Sequence, residues 1–354
     1  MKKVRIAVVG CGGIANVHLT SYSKLPNVEI YALCDINREN LDRTGDKFGI
    51  ARRYTDEAEM LKECAGELDG VDVCVWNCNH APCTIMALEA GLNVLCEKPM
   101  AYNTEQAIRM KEAADKAGKL LMVGFVLRFN GNTAIVKDFI DKGLLGDIYY
   151  SKAQYVRRHG NPGGWFGNSA KSGGGPVIDL GVHVIDLMRY LSGSPKPVGV
   201  YASVQKRLGK REHLHNSIEW VPQSGENEPF DVEDFGTALI RFDNGSVMML
   251  ETTYDINGED VAKRLMYGTK GGVDFTNGVK IFGEYNNFLT DFVVNTENCG
   301  AFDTYHFDAE MAHFVDCIAN GTPCRATAED GIIVMKILDA IYESGRTGHE
   351  AIID

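Results

Sequence analysis

Gly10-Cys11-Gly12-Gly13-Ile14-Ala15 follows the apolar run Arg5-Ile6-Ala7-Val8-Val9 and precedes a helix-compatible stretch. A G-x-G-x-x-A turn between strand and helix is how a fold holds a dinucleotide pyrophosphate. Gly10 permits the tight turn, Gly12 lets the backbone approach the phosphates, and small Ala15 lets helix and strand pack closely. The free N–H groups at the helix start, from Gly13 and Ile14 onward, and the positive end of its dipole then face the anion. Asp35 ends the next apolar run, Val28–Cys34, at 35 − 15 = 20 residues past the motif. A carboxylate there accepts hydrogen bonds from ribose hydroxyls and repels a 2′-phosphate, so the expected cofactor is NAD. Arg38 lies close by in sequence and could tolerate that phosphate, which leaves NADP as the lesser alternative.

Two further segments carry chemistry. Glu97-Lys98-Pro99 follows Val94-Leu95-Cys96, at the carboxyl end of an expected strand of the nucleotide domain. Ligands of open α/β sheets bind at those ends. A partly desolvated Lys98 ammonium there would stabilise a developing alkoxide. Pro99 restricts the backbone of Lys98 and allows a cis bond. The second segment, Gly173-Gly174-Gly175 leading into Pro176–Asp186, reads as a glycine run opening an apolar helix. Asp179 and His183 are four apart and share a helical face, with Asp186 three further on. His183 suits a general base that removes a hydroxyl proton, and Asp179 can hold it or bond Lys98 and substrate. Asp186 is better read as a core or capping group. A hydride acceptor, a base and a cation over one carbinol make a redox reaction that requires no metal.

Between these segments lies Tyr155–Phe166. Trp165 among glycines, flanked by Arg158, His159 and Asn161, is how a protein grips a sugar: the ring stacks on C–H groups and the polar side chains read hydroxyls. Arg128 is a further candidate substrate contact, balanced against a structural salt bridge. The expected small-molecule partner is carbohydrate-like.

The elements that must position these groups follow from the patterning. Residues 1–124 alternate strand and helix signals, with strands expected at Val4–Val9, Glu29–Cys34, Val71–Trp76, Asn93–Cys96 and Leu120–Gly124. Helices are expected at Thr55–Cys64, Ala81–Ala90 and Thr104–Ala117, the last with an Asn103 cap. This predicts an α/β Rossmann domain with a parallel sheet. Residues 125–354 switch to strand signals with turn punctuation: Ile148–Arg157, Pro197–Arg207, Phe235–Phe242, Ser246–Tyr254 and Lys263–Tyr267. Asp243-Asn244-Gly245 marks a hairpin. This half reads as an α+β substrate and oligomerisation domain with an open, mainly antiparallel sheet, closed by helices at Phe307–Ile318 and Glu329–Ser344. The face of the sheet left open predicts a homodimer or homotetramer.

At 354 residues the chain has length for two domains, and its formal charge of −12 disfavours nucleic acid or an anionic membrane as partner. It has no apolar run long enough to span a bilayer. The cysteines lack metal-ligand spacing and read as buried thiols in a reducing cytoplasm.

The chain resembles the Gfo/Idh/MocA oxidoreductases, named for glucose-fructose oxidoreductase and inositol dehydrogenase. The resemblance rests on Gly10–Ala15, on Cys96-Glu97-Lys98-Pro99 and on Asp179-x-Gly181-x-His183-x-x-Asp186, and it extends over the whole chain. It implies that Lys98, Asp179 and His183 are the catalytic trio, with His183 the proton acceptor, and that Glu97 lies at the cofactor. Where the family often has Thr-Pro-Asn-x-x-His, this chain has Val75-Trp76-Asn77-Cys78-Asn79-His80; Asn77 and His80 keep register to approach the cofactor. A subgroup oxidises the 3-hydroxyl of glycosides. Some relatives instead hold NAD tightly and cleave glycosidic bonds, and others are non-catalytic dinucleotide-binding regulators; the intact trio argues against a regulator.

Overall fold

The computed structural model describes residues 3–211, 213–214, 229–296 and 304–354. The chain divides into two compact units, one made of Met1–Val126 with Tyr305–Ile332 and the other of Leu127–Thr304 with Ile333–Asp354.

The first unit alternates strand and helix: β1 (Val4–Val9), α1 (Gly13–Tyr22), β2 (Val28–Cys34), α2 (Arg38–Phe48), β3 (Arg53–Tyr54), α3 (Glu57–Cys64), β4 (Gly70–Val73), α4 (Asn77–Glu89), β5 (Asn93–Cys96), α5 (Thr104–Ala117) and β6 (Leu121–Val123). The strands form one sheet in the order β3-β2-β1-β4-β5-β6, and every pair is parallel. All residues of β4 and β6 are buried, as expected for parallel strands covered on both faces. Asn37, Asp56 and Asn103 cap α2, α3 and α5 by accepting backbone N–H bonds. No side chain caps α1 or α4, and neither has an acidic residue in its first turn. Helix α4 starts at Asn77, ahead of the expected Ala81, because the helix absorbs Pro82 rather than beginning beside it.

The second unit contains α6 (Gly131–Asp141), β7 (Ile148–Val156), α7 (Ser169–Ser172), α8 (Val182–Leu191), β8 (Pro197–Gln205), β9 (Phe235–Phe242), β10 (Val247–Thr253), β11 (Arg264–Gly268), β12 (Gly272–Asp274), β13 (Lys280–Tyr285) and β14 (Phe288–Val293). Then come α9 (His306–Asn320), α10 (Ala328–Thr347) and β15 (Ala351–Ile352). Helix α9 belongs to the first unit, where it lies against α1 and β1. The second sheet runs β14-β13-β12-β11-β7-β10-β9-β8-β15. Only the β7–β10 pair is parallel. Asp243-Asn244-Gly245 does turn the chain between β9 and β10, with Gly245 at φ 82°. Ala238, Ile240 and Phe242 are buried while Leu239 and Arg241 are exposed, so one face of the sheet is packed. Helix α8 covers that face at β7 and β11.

Candidate active site

The glycine turn leaves β1 beside the end of β4. Gly10 has φ 95°, and a Cβ on it would stand 2.2 Å from the carbonyl oxygen of Cys74. Only glycine satisfies both the dihedral and the space. A Cβ at Gly12 would meet nothing within 4 Å, so that side of the turn is open backbone. Asp35 reaches back to the turn: Cys11 N–H donates to its Oδ2 at 2.6 Å, and Asn37 N–H donates to its Oδ1 at 2.7 Å. Arg38 is tied along its own helix, its Nε donating to Asp42 at 2.8 Å. An open glycine, an uncapped helix start without an acid, and a carboxylate at the end of β2 together fit a dinucleotide with free ribose hydroxyls.

Lys98 lies just past β5, half-buried, on the same edge of the sheet as that turn. Its backbone is firmly held. Glu97 N–H donates to Val73 O at 3.0 Å, and Lys98 N–H donates to Glu97 Oε2 at 3.0 Å. The Lys98–Pro99 bond is cis. His80 is buried, with Nδ1 2.6 Å from Pro99 O and Nε2 3.2 Å from Val75 O. Burial, with the Lys98 charge nearby, lowers its pKa, so the ring is neutral and has one proton to donate. With that single N–H the ring donates to only one of these two carbonyls, and it packs between the lysine loop and the end of β4. Asn77 is buried at the first turn of α4.

In the second unit the glycine run lets the backbone at Glu233 come close. A Cβ on Gly175 would stand 2.1 Å from Glu233 O. The Glu233 carboxylate accepts from Gly175 N–H at 2.9 Å, Val177 N–H at 3.1 Å and the Tyr342 hydroxyl at 2.9 Å. The segment it anchors is a π-helical turn, Val177–Gly181, before α8, rather than one uniform helix. Such turns recur at functional sites. Asp179 lies in this turn, buried, and accepts from the Tyr254 hydroxyl at 3.0 Å. Its charge also acts on Arg157, whose guanidinium donates to Gly160 O at 3.1 Å and to the Tyr155 hydroxyl at 3.4 Å. His183 is half-buried in the first turn of α8.

The remaining candidates each have contacts of their own. Arg128 is buried and donates from Nε to Asp186 Oδ2 at 2.9 Å and from Nη2 to Oδ1, with its guanidinium 4.7 Å over the Tyr190 ring. It serves the structural alternative, and Asp186 serves the core role expected of it. Arg158 is exposed, and its backbone N–H donates to Asp260 at 2.8 Å. His159 pairs with Asp255 at 2.8 Å. Asn161 is buried and accepts from Gly163 N–H at 2.8 Å. Trp165 stacks on Phe166, ring centres 4.0 Å apart. Sequence reasoning missed Tyr254, Tyr155, Arg157 and Glu233. The signal for Tyr254 is the parallel register, which pairs Thr253 with Val156 and so sets Tyr254 beside Arg157.

Comparison with known proteins gives this geometry its setting. Residues 4–125 match the model of the oxidoreductase family with the NAD-binding Rossmann fold, and residues 133–274 match the GFO/IDH/MocA C-terminal domain. D-Glucoside 3-dehydrogenase of Escherichia coli (strain K12) is 34% identical over 98% of this chain and 96% of that protein. D-Apiose dehydrogenase of Paraburkholderia graminis is 26% identical over 98% of this chain and 89% of the relative. The solved structure of levoglucosan dehydrogenase in complex with NADH superposes with a TM-score of 0.87 at 24% identity, covering 100% of both chains. The chain belongs to the GFO/IDH/MocA family and is an oxidoreductase with an NAD-binding Rossmann domain.

Proposed function

We propose that the chain oxidises a secondary hydroxyl of a sugar, the 3-hydroxyl of a D-glucoside, with NAD as the hydride acceptor. The observation that carries this reading is Lys98, half-buried on a clamped loop at the same sheet edge as the dinucleotide turn. Bound NAD supplies the hydride acceptor. The Gly10–Ala15 turn and the start of α1 hold its pyrophosphate, and Asp35 selects ribose hydroxyls over a 2′-phosphate. Lys98 donates a hydrogen bond to the substrate oxygen and steadies the charge that develops on it. His183 accepts the hydroxyl proton. Asp179, itself held by the Tyr254 hydroxyl, orients that imidazole, and Arg157, Asn161 and Trp165 read the sugar. The 34% identity to a D-glucoside 3-dehydrogenase supports the substrate and the position.

The test is to incubate the protein with NAD and methyl β-D-glucoside, follow NADH formation and identify the product by NMR. A 3-keto glycoside supports the reading. Turnover confined to free cyclitols or pentoses would overturn the substrate assignment.

We also infer that a second copy covers the open face of the second sheet. Tyr149, Tyr201 and Leu239 are exposed along it, and Tyr285, Phe288, Leu289 and Val293 on the β13–β14 hairpin. The nine cysteines among the described residues are free thiols, which supports a reducing compartment. No helix among the described residues is long and apolar enough to cross a membrane.

A further inference from the structure

The interior of the first sheet contains charge where packing alone would ask for none. Asp72 is the sole charged residue of β4, a central strand, and is fully buried. His18 on α1 is fully buried as well. Its Nδ1 donates to Asp72 Oδ2 at 2.9 Å, and its Nε2 lies 3.1 Å from Glu97 Oε1. The other oxygen of Glu97 accepts the backbone N–H of Lys98 at 3.0 Å. Gly124 passes close to Glu97: a Cβ there would stand 3.1 Å from Oε1.

We propose that His18, Asp72 and Glu97 are positioning residues for Lys98: a buried carboxylate–imidazole–carboxylate chain that fixes the backbone from which the lysine acts. This rests on the catalytic reading of Lys98 given above. Isolated buried charges are costly, and apolar side chains of similar volume often pack at least as well. The chain therefore serves something other than cohesion, and it ends on the lysine.

The charges within it follow from their neighbours. Burial works against a cation at His18, but the charge of Asp72 and the hydrogen bond to it raise the pKa well above the ordinary value. Burial likewise works against ionised Glu97, but His18 and Lys98 together hold it below the usual range. Other groups face the cluster from each packed element: Tyr22 on α1, Cys74 after β4, His80 on α4 and Glu310 on α9. Burial, reinforced by the Glu97 charge, pushes the Glu310 carboxyl well above the usual carboxylate range. The His18 ring thus lies between the Asp72 and Glu97 side chains, one at each ring nitrogen.

Two measurements test this. In protein labelled with 15N-histidine, both ring nitrogens of His18 should stay protonated well above the pH at which a free imidazole loses its proton, and Asp72→Asn should abolish this. In steady-state assays with substrate deuterated at the reacting carbon, His18→Gln should lower kcat roughly ten- to hundredfold and raise the primary isotope effect. Its NADH affinity should stay within about twofold of wild type. A merely structural role lowers the active fraction and leaves the isotope effect and pH profile unchanged; that result would overturn the proposal. So would a His18 that titrates at about 6.5 like a free imidazole. Lys98→Ala is the control. If it retains full activity, the catalytic reading of Lys98 is at fault and the positioning role falls with it. If Lys98→Ala is inactive while His18→Gln turns over normally, the chain alone is wrongly assigned. Should His18→Gln fail to fold, the wild-type histidine spectrum and the Asp72→Asn kinetics still decide.

Discussion

The proposed function gives Lys98 and His183 opposite tasks on one oxygen, the first to steady its charge and the second to take its proton. Removing the base should show in the chemical step alone: His183→Ala should lower kcat by roughly two to four orders of magnitude and change NADH affinity little, as read by fluorescence titration. Glu57 offers a separate residue-scale check. Burial raises its pKa from 4.5 to about 7. Because the folded state holds that proton more tightly than the unfolded chain, Glu57 costs nothing below the unfolded value. It destabilises progressively as pH rises to about 7, and the full penalty remains above that. Glu57→Gln should therefore raise the melting temperature at pH 8 and leave it nearly unchanged at pH 4. The sequence marks Lys98, Asp35 and His183 as candidates because each sits at a fixed offset from a strand end or glycine motif. Tyr254 and Arg157 were not legible, since their meeting depends on a parallel register between strands about a hundred positions apart. Arg128 and Asp186 were both singled out, but their pairing is a tertiary fact that spacing does not contain.

At the scale of elements, the site depends on places where the backbone comes unusually close to something else. The turn after β1 is one. Gly10→Ala should cost several kcal/mol in chemical denaturation and abolish NADH binding, because it adds both left-handed strain and a contact with the β4 end. The anchoring of α8 is another. Asp186→Ala leaves Arg128 buried without its carboxylate and should cost about 3–5 kcal/mol, whereas the paired change Asp186→Leu with Arg128→Met should recover most of it. The strands and helices of the first unit were readable from apolar runs and cap residues such as Asn103. The π-helical turn holding Asp179 was not, because Glu233, which anchors its start, lies 56 residues beyond Val177. The pairs at the β13–β14 edge also escaped notice, since exposed aromatics on a hairpin carry no clear alternation.

At the scale of the whole molecule, the proposed second copy would cover the open face of the second sheet. Leu289 is 90% exposed on the β13–β14 hairpin. If a second copy covers this region, Leu289→Glu should shift the protein toward monomer in size-exclusion chromatography with light scattering while leaving NADH binding intact. A monomeric wild type would show that the face has another use. The alternation of strands and helices, then of strands and turns, made two kinds of sheet readable from the sequence. The return of α9 to the first unit was not readable, because amphipathic periodicity marks a buried face without naming what covers it. The central claim is that Lys98, Asp179 and His183 act on a single sugar hydroxyl. Its most direct test is a crystal structure of the protein with NADH and a glycoside. The account predicts Lys98 Nζ and a ring nitrogen of His183 both within ~3.2 Å of the same sugar oxygen. Finding the two side chains on different atoms of the ligand, or separated by solvent, would contradict it.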